Sequence, residues 1–435
     1  MAMTLRAAGR GFASRERNVE LALALAGCAF AVLAWRALDA AAFEMPANSG
    51  RILTQFLVAG IAGHVGMRFV APHAAPQVYP AALLLSAVGL VFVLRLAPEL
   101  GQEQVNWICL GTALMVVSAW AGRRHYRQLR QYTYTAALAA IALLVVTGLF
   151  GTTVYGARLW LTFGGHSVQS TELIKLFMLV FLAGFLADEA AVLAAGRLPF
   201  AGRTYSALPY VAPLLLTWLM TMAALALLKD LGSIALLVLL AIGALYVATG
   251  RFRFVLAGAA LLFLTALAGY FAFDHARARI DVWRDVFADE QASGYQTAQS
   301  LYAIQAGGIT GEGLGMGDPQ LIPAAETDYV FSAIGEELGL AGAIGLVMVY
   351  VVLLFAGLRV ALRCPEGFGR LLAASASLLI AIQAAIIICG NLRLIPTTGI
   401  TLPFVSYGGS SLVVNFVIAG LLAGISSASS PRVQT

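Results

Sequence analysis

Apolar residues run along this chain in long unbroken blocks, not in the two-residue alternation of a half-buried strand. Runs of helix-spanning length lie near 20–38, 51–71, 77–97, 105–122, 133–153, 171–188, 207–228, 232–250, 254–272, 329–358, 371–390 and 408–427. About 20 such residues cross the hydrocarbon core of a bilayer as a helix. The pattern predicts an all-α polytopic integral membrane protein with about 12 transmembrane helices. The first run follows Arg6, Arg10, Arg15 and Arg17 and is longer than a cleaved signal core, so it reads as an uncleaved anchor.

Composition agrees. The 435 residues are 60% hydrophobic and 11% charged, with a mean hydropathy of +0.85, against about 25% charged residues in soluble domains. That excludes a soluble globule, a disordered tail and a nucleic-acid-binding module. An N-in/C-in arrangement puts 17 of the 27 basic residues on the cytoplasmic side, as the positive-inside rule requires. They are Arg6, Arg10, Arg15, Arg17, Arg68, the cluster Arg123, Arg124, Arg127 and Arg130, then Arg197, Arg203, Arg251, Arg253, Arg359, Arg363, Arg370 and Arg432. Nine of the 22 carboxylates fall in 273–328, one large extracytoplasmic loop. The chain divides into a cytoplasmic N-terminus (1–19), N-terminal helices (20–122), a main transmembrane core (123–428) and a cytoplasmic C-terminus (429–435).

Within the loop, 279–287 reads as a short amphipathic helix at the membrane surface, with Trp283 and Phe287 at headgroup level. The glycines from Gly307 to Gly317 lack a P-loop ending and read either as a close approach to phosphate or as a connector. No internal repeat of the transporter kind is visible. The four cysteines and five histidines show no metal-ligand spacing, which leaves only a cation held by carboxylates.

Charges inside apolar runs are functional candidates by default. Glu172 and Lys175 lie on neighbouring turns of one helical face, as a packing pair or as substrate contacts. Lys229 and Asp230 sit at a tight outer turn where Asp230 can cap the next helix. Asp328, in GluThrAspTyr at 326–329, stands at the outer start of a span. Glu336 and Glu337 follow, pointing into the bundle or pairing with Arg or Lys. The last outer loop, 391–411, carries Pro396, Gly399 and Pro403 and reads as a shaped, re-entrant or surface-hugging segment. It ends in Ser406, Tyr407, Gly408, Gly409, Ser410 and Ser411, where free amides at a helix start could bind an anion or simply cap and pack.

These residues resemble the SEDS family (shape, elongation, division and sporulation), the RodA/FtsW/SpoVE type of peptidoglycan polymerase. The similarity is carried by LeuProPheValSerTyrGlyGlySerSer at 402–411 after ProThrThrGly at 396–399, and by ThrAspTyrValPheSerAlaIleGlyGluGluLeuGly at 327–339. AspLeuGlySer at 230–233, GlyAlaArgLeuTrp at 156–160, GlnSerThrGluLeuIleLys at 169–175 and GlyTyrGln at 294–296 follow the family's order, so the resemblance spans roughly 133–425. It implies a ten-span core plus two additional N-terminal spans, in the bacterial cytoplasmic membrane. It further implies a glycosyltransferase that polymerises lipid II on the outer leaflet beside a class B penicillin-binding protein, in elongation or division. The family's essential aspartate falls on Asp328 and its membrane Glu/Lys pair on Glu172 and Lys175. Departures are Ser170-Thr171 before that glutamate, Glu326 before Thr327, and Ile387 where an asparagine is common.

In that reading Asp328 is the base. Arg158, Lys229, Arg393 and the amides at 408–411 are helpers for the departing pyrophosphate, and Mg or Mn bridging Asp328 and pyrophosphate is an option with no written ligand set. A flippase or transporter for the same precursor, and a non-catalytic scaffold for a transpeptidase, are the alternatives.

Overall fold

The computed structural model describes residues 2–154, 157–164, 166–195, 197–200, 203–206 and 208–430. Gly156, Arg432 and the side chains of Arg6, Arg10, Arg197 and Arg203 lie outside that description. The long helices are α1 (Ala2–Ala40), α2 (Ser49–Val70), α3 (Val78–Leu96), α4 (Gly101–His125), α5 (Thr133–Phe150), α6 (Ser170–Ala195), α7 (Leu208–Leu227), α8 (Leu231–Thr249) and α9 (Phe252–Ala272). Two short helices follow, α10 (Asp274–Arg284) and α11 (Tyr295–Gly307), then α12 (Val330–Arg363), α13 (Gly367–Asn391) and α14 (Gly409–Ser429). Ten described stretches are long and apolar enough to cross a membrane; one of them, Pro98–Phe150, contains both α4 and α5. The apolar part of α7, Ala212–Leu227, is shorter.

The all-α reading holds for these helices. Outside them the chain adds two small antiparallel sheets that the apolar pattern does not show. β1 (Thr152–Val154), β2 (Ala157–Phe163) and β3 (His166–Gln169) form one between α5 and α6, and β4 (Arg197–Phe200) and β5 (Arg203–Ser206) form a hairpin between α6 and α7. α3 is buried on nearly every face, as expected of a helix that is apolar all round. α9 lies at the periphery, with no buried residue, against α8 and α10.

α4 and α14 form an extensive seam. A Cβ on Gly420 would stand 2.3 Å from the Met115 carbonyl oxygen and one on Gly424 2.6 Å from that of Ala119. The pair is a GxxxG face that lets two backbones touch where lipid offers no hydrophobic drive for association.

Side-chain contacts separate the molecule into two ends. At one, Arg123 donates to the Val70 carbonyl (2.9 Å), Arg130 pairs with Asp188 (2.5 Å), Arg127 with Glu366 (3.2 Å), and Arg253 donates to the Leu193 carbonyl (2.9 Å). This arginine end gathers the C-terminal ends of α2, α4 and α6 and the starts of α9 and α13. Every loop holding Asp328, Lys229 and 391–411 emerges at the opposite end.

Two details are not visible in the apolar pattern. First, α1 begins at Ala2, and Arg17 within it is buried, paired with Glu20 and donating to the Ala74 carbonyl. Glu20 also meets His64 Nδ1 at 2.9 Å, so this cluster pins α1 to α2 and to the turn before α3. Second, the span expected at 329–358 is broken: Gly339 has φ 66° and ψ −169°, which divides α12 into a short outer helix before the break and a long helix after it.

That break explains the glycine run. Gly311 has φ 83°, and a Cβ there would lie 2.3 Å from the Glu337 carbonyl oxygen; a Cβ on Gly307 would lie 2.0 Å from that of Gly335. The glycines let 307–317 lie backbone to backbone against the outer part of α12, rather than against a phosphate. Glu337 binds Arg95 Nε (2.8 Å) and the Gly315 amide (3.1 Å), Glu336 binds the Asp318 amide (2.8 Å), and Arg95 also donates to the Gly317 carbonyl (2.6 Å). The inward pairing left open for these glutamates is thus Glu337 with Arg95, while Glu336 accepts from a backbone amide. Glu337→Gln weakens the charged acceptor of a buried network, and its expected cost is about 1–3 kcal/mol, read as a lowered unfolding midpoint in detergent.

Candidate active site at the outer loops

The site is built around 391–411, which is bound from many helices at once. Asn391, the last residue of α13, donates to the Asp328 carbonyl (2.8 Å) and accepts from Ser332 Oγ (3.3 Å). Ser406 Oγ donates to the Thr327 carbonyl (2.5 Å), and the Tyr407 amide donates to the Glu326 carbonyl (2.8 Å). Three hydrogen bonds therefore hold the backbone of 326–328 from a segment some seventy residues away. The loop is itself fixed by Tyr350 Oη to the Pro403 carbonyl (2.6 Å), Gln383 Nε2 to the Thr401 carbonyl (2.8 Å) and Tyr407 Oη to Glu103 (2.5 Å).

Asp328 is half-buried just before α12. Burial pushes its carboxyl up to about 6, with the Arg279 guanidinium and a hydrogen bond from Thr327 opposing and Glu326 adding. A Cβ on Gly399 would stand 3.3 Å from Arg279 Nη2 and 3.8 Å from Asp328 Oδ2. Gly399 (φ 69°) leaves the space into which both groups project. Arg279 Nη1 donates to the Thr397 carbonyl (2.9 Å). The adjoining crevice, between Arg279, Trp283, Thr297, Arg393 and Thr397, holds about 10 Å³, room for one water and not for a sugar ring.

The Glu172–Lys175 pair lies one layer below. Lys175 Nζ is 2.6 Å from Glu172 Oε2 and donates to Gln383 Oε1 (3.0 Å), and both charges are buried. Since Gln383 in turn holds the Thr401 carbonyl, the pair connects α6 to α13 and to the loop that fixes Asp328.

The other sequence candidates divide. Asp230 caps α8, accepting from the Ser233 amide (2.9 Å) and hydroxyl (2.7 Å); Asp230→Ala is expected to cost about 1 kcal/mol, again as a lower unfolding midpoint. Lys229, at φ 64°, is exposed beside it. Arg158 spends one nitrogen on the Gly148 carbonyl, 2.9 Å, at the edge of the three-stranded sheet. Arg393 donates to the Trp283 (2.9 Å) and Arg284 (2.8 Å) carbonyls and takes Trp283 Nε1 on its own carbonyl (3.1 Å). Trp283 therefore packs on the loop. Gly408 and Gly409 open α14, where a Cβ on Gly409 would lie 2.3 Å from Trp107. Ser410 accepts from the Gln169 amide (3.1 Å) and Ser411 from Thr401 Oγ1 (2.7 Å).

Sequence reading missed Arg279 and Asn391. Arg279 reads as one more arginine of a surface helix, and Asn391 as the end of an apolar span; their contacts with Thr397 and Asp328 are visible only in the fold. Among the described residues no three of His, Cys, Asp and Glu come together as a metal cluster, and the charged group beside Asp328 is the Arg279 guanidinium.

The chain matches known proteins over most of its length. The FtsW/RodA/SpoVE profile, described as "Cell cycle protein", matches residues 77–430, leaving α1 and α2 outside. The peptidoglycan glycosyltransferase RodA of Mycobacterium tuberculosis is 36% identical over 428 residues, covering 94% of this chain and 90% of that protein. A probable peptidoglycan glycosyltransferase FtsW of Geobacter metallireducens is 34% identical over 75% of this chain and 84% of its own length. Among solved structures, a chain of a peptidoglycan synthase complex that coordinates polymerization and crosslinking superposes with a TM-score of 0.67 at 26% identity, over 82% of this chain and 98% of that one. The rod shape determining protein RodA of Thermus thermophilus gives 0.59 at 25%, over 82% and 98%. The ten apolar stretches, the loop-bound Asp328 and these similarities together place this multi-pass membrane protein in the FtsW/RodA/SpoVE family.

Proposed function

We propose that this enzyme is a peptidoglycan glycosyltransferase that polymerises lipid II into glycan strands at the outer face of the cytoplasmic membrane, beside a class B penicillin-binding protein that crosslinks them. The observation that carries the mechanism is the half-buried carboxylate of Asp328, held by 391–411 at the end opposite the arginines. By the positive-inside rule the arginine end faces the cytoplasm, so Asp328 faces outward.

In the reaction a hydroxyl of the acceptor sugar attacks the anomeric carbon of a diphosphate-linked sugar. The new O–C1 bond forms as the C1–O bond to diphosphate breaks, the hydroxyl proton passes to Asp328, and the polyprenyl diphosphate leaves with the electron pair. A carboxylate whose burial raises its basicity is better matched to that proton than a solvated one. The lipid tails remain in the bilayer. An apolar groove of about 590 Å³ between α2 and α4, lined by Thr54, Gln55, Val58, Gly63, Cys109 and Thr112 among others, opens to lipid on the flank of the helix that carries Glu103.

The test is polymerisation of lipid II by purified protein, alone and with a cognate class B transpeptidase, followed by glycan-chain length on a gel. Glycan ladders are expected from the wild type. Lipid II crossing the bilayer with no polymer formed would favour a flippase, and neither activity a scaffold.

A further inference from the structure

One cluster beside Asp328 does not itself take the proton. His275 and Arg279 stand four residues apart on α10, and so on one face of it. Arg279 is anchored through Nη1 alone, and its Nη2 is turned to the space over Gly399. His275 Nε2 is buried with no hydrogen-bond partner among the described residues. Lys229 comes from the α7–α8 turn, exposed and held at a positive φ. Among the described residues neither Lys229 nor Arg279 enters an ion pair.

The three groups are near enough to act on one another: burial, Lys229 and Arg279 lower the basicity of His275, with only Asp274 opposing. In the tautomer that carries the ring proton on Nε2, His275 has a buried donor left free for an anion. The carboxylates that face the cluster, Asp328 and Asp274, form no ion pair with Lys229 or Arg279 among the described residues, so an arriving anion still finds unpaired cations. Arg158 and Arg393, the other sequence candidates for this duty, spend guanidinium nitrogens on backbone carbonyls.

We propose that Lys229, His275 and Arg279 form the subsite for the diphosphate of a polyprenyl-linked saccharide, with Arg279 placed between that anion and the carboxylate of Asp328. This rests on the glycosyl-transfer reading and adds the groups that receive the leaving charge. Arg279 faces both partners of the reaction: its charge steadies the carboxylate before transfer and the diphosphate after it. Lys229 and the imidazole close the far side.

The experiment measures binding of geranylgeranyl diphosphate to the full chain in phosphatidylcholine nanodiscs, with geranylgeranyl monophosphate, inorganic pyrophosphate and phosphatidylglycerol as competitors. Arg279→Gln is expected to weaken diphosphate binding about tenfold or more and Lys229→Gln several-fold, the scale of one charge-assisted hydrogen bond. Asp328→Asn, which removes a negative neighbour, should bind the probe at least as well as the wild type while making no glycan. Lys229 is exposed, so its variant tests the subsite without disturbing packing. Binding within twofold of wild type in both cation variants overturns the proposal. So does displacement of the probe by phosphatidylglycerol as readily as by pyrophosphate, which would mark a general headgroup site. A wild type that binds the probe but never polymerises lipid II would sink the glycosyl-transfer reading and leave a diphosphate site; a wild type that polymerises with binding untouched by both substitutions would sink only this inference.

Discussion

Asp328→Asn is expected to lower the polymerisation rate by about 10²–10⁴-fold, the usual worth of general-base assistance, while the protein becomes harder to unfold. The two effects have one cause. Burial raises the carboxyl to about 6 from an ordinary 3.8. For a carboxylate raised in this way, the stabilising contribution is complete below the unfolded value of 3.8 and is lost as pH climbs through 6. At neutral pH the ionised side chain therefore costs about 3 kcal/mol, and an uncharged amide of the same shape removes most of that cost. Gel analysis of glycan products together with the unfolding midpoint in detergent checks both halves. A less stable Asn variant would mean that the carboxylate serves packing.

The second large effect is expected at Lys175. Lys175→Met leaves Glu172 buried without its counter-charge, and breaking a buried pair from one side typically costs about 3–5 kcal/mol. The loss should spread, because Lys175 also holds Gln383 and Gln383 holds the Thr401 carbonyl. Glycan synthesis should fall along with stability although neither residue touches the reacting atoms. The double variant Glu172→Gln with Lys175→Met should recover most of the stability, since no unpaired charge is left. Unfolding midpoints of both single variants and the double variant form the cycle that measures the coupling. If the double variant is as unstable as the sum of the singles, the pair is not the stabilising unit.

How far the chain was legible from its residues depended on the kind of signal. The membrane-spanning helices follow from apolar runs of bilayer length, because lipid admits few other backbone solutions. Asp328, Glu172 and Lys175 stood out since charges next to apolar runs are costly. The short strands at 152–169 and 197–206 were hidden: they are three to seven residues long and lie in the connections between apolar runs, too short to leave a pattern of their own. The break at Gly339 was hidden too, because Gly339 is one of five glycines in an apolar span that reads as continuous, and only the approach of Gly311 to the Glu337 backbone shows why it kinks. Arg279 gave no signal in a helix already rich in arginine. What singles it out is a contact 118 residues away, with Thr397. The role of 391–411 was legible as shape, through its prolines and glycines, but not as a hub, since its partners come from helices throughout the chain.

The most direct test of the whole account is the pH dependence of single-turnover glycan synthesis by the wild type and by Arg279→Gln. The working form of Asp328 is the ionised one, so the rate should rise with pH and level off above an inflection near 6. Removing the guanidinium that favours the ionised form should move that inflection to higher pH. A rate that is flat between pH 5 and 8, or an inflection that stays in place when Arg279 is replaced, would contradict the assignment of Asp328 as the base.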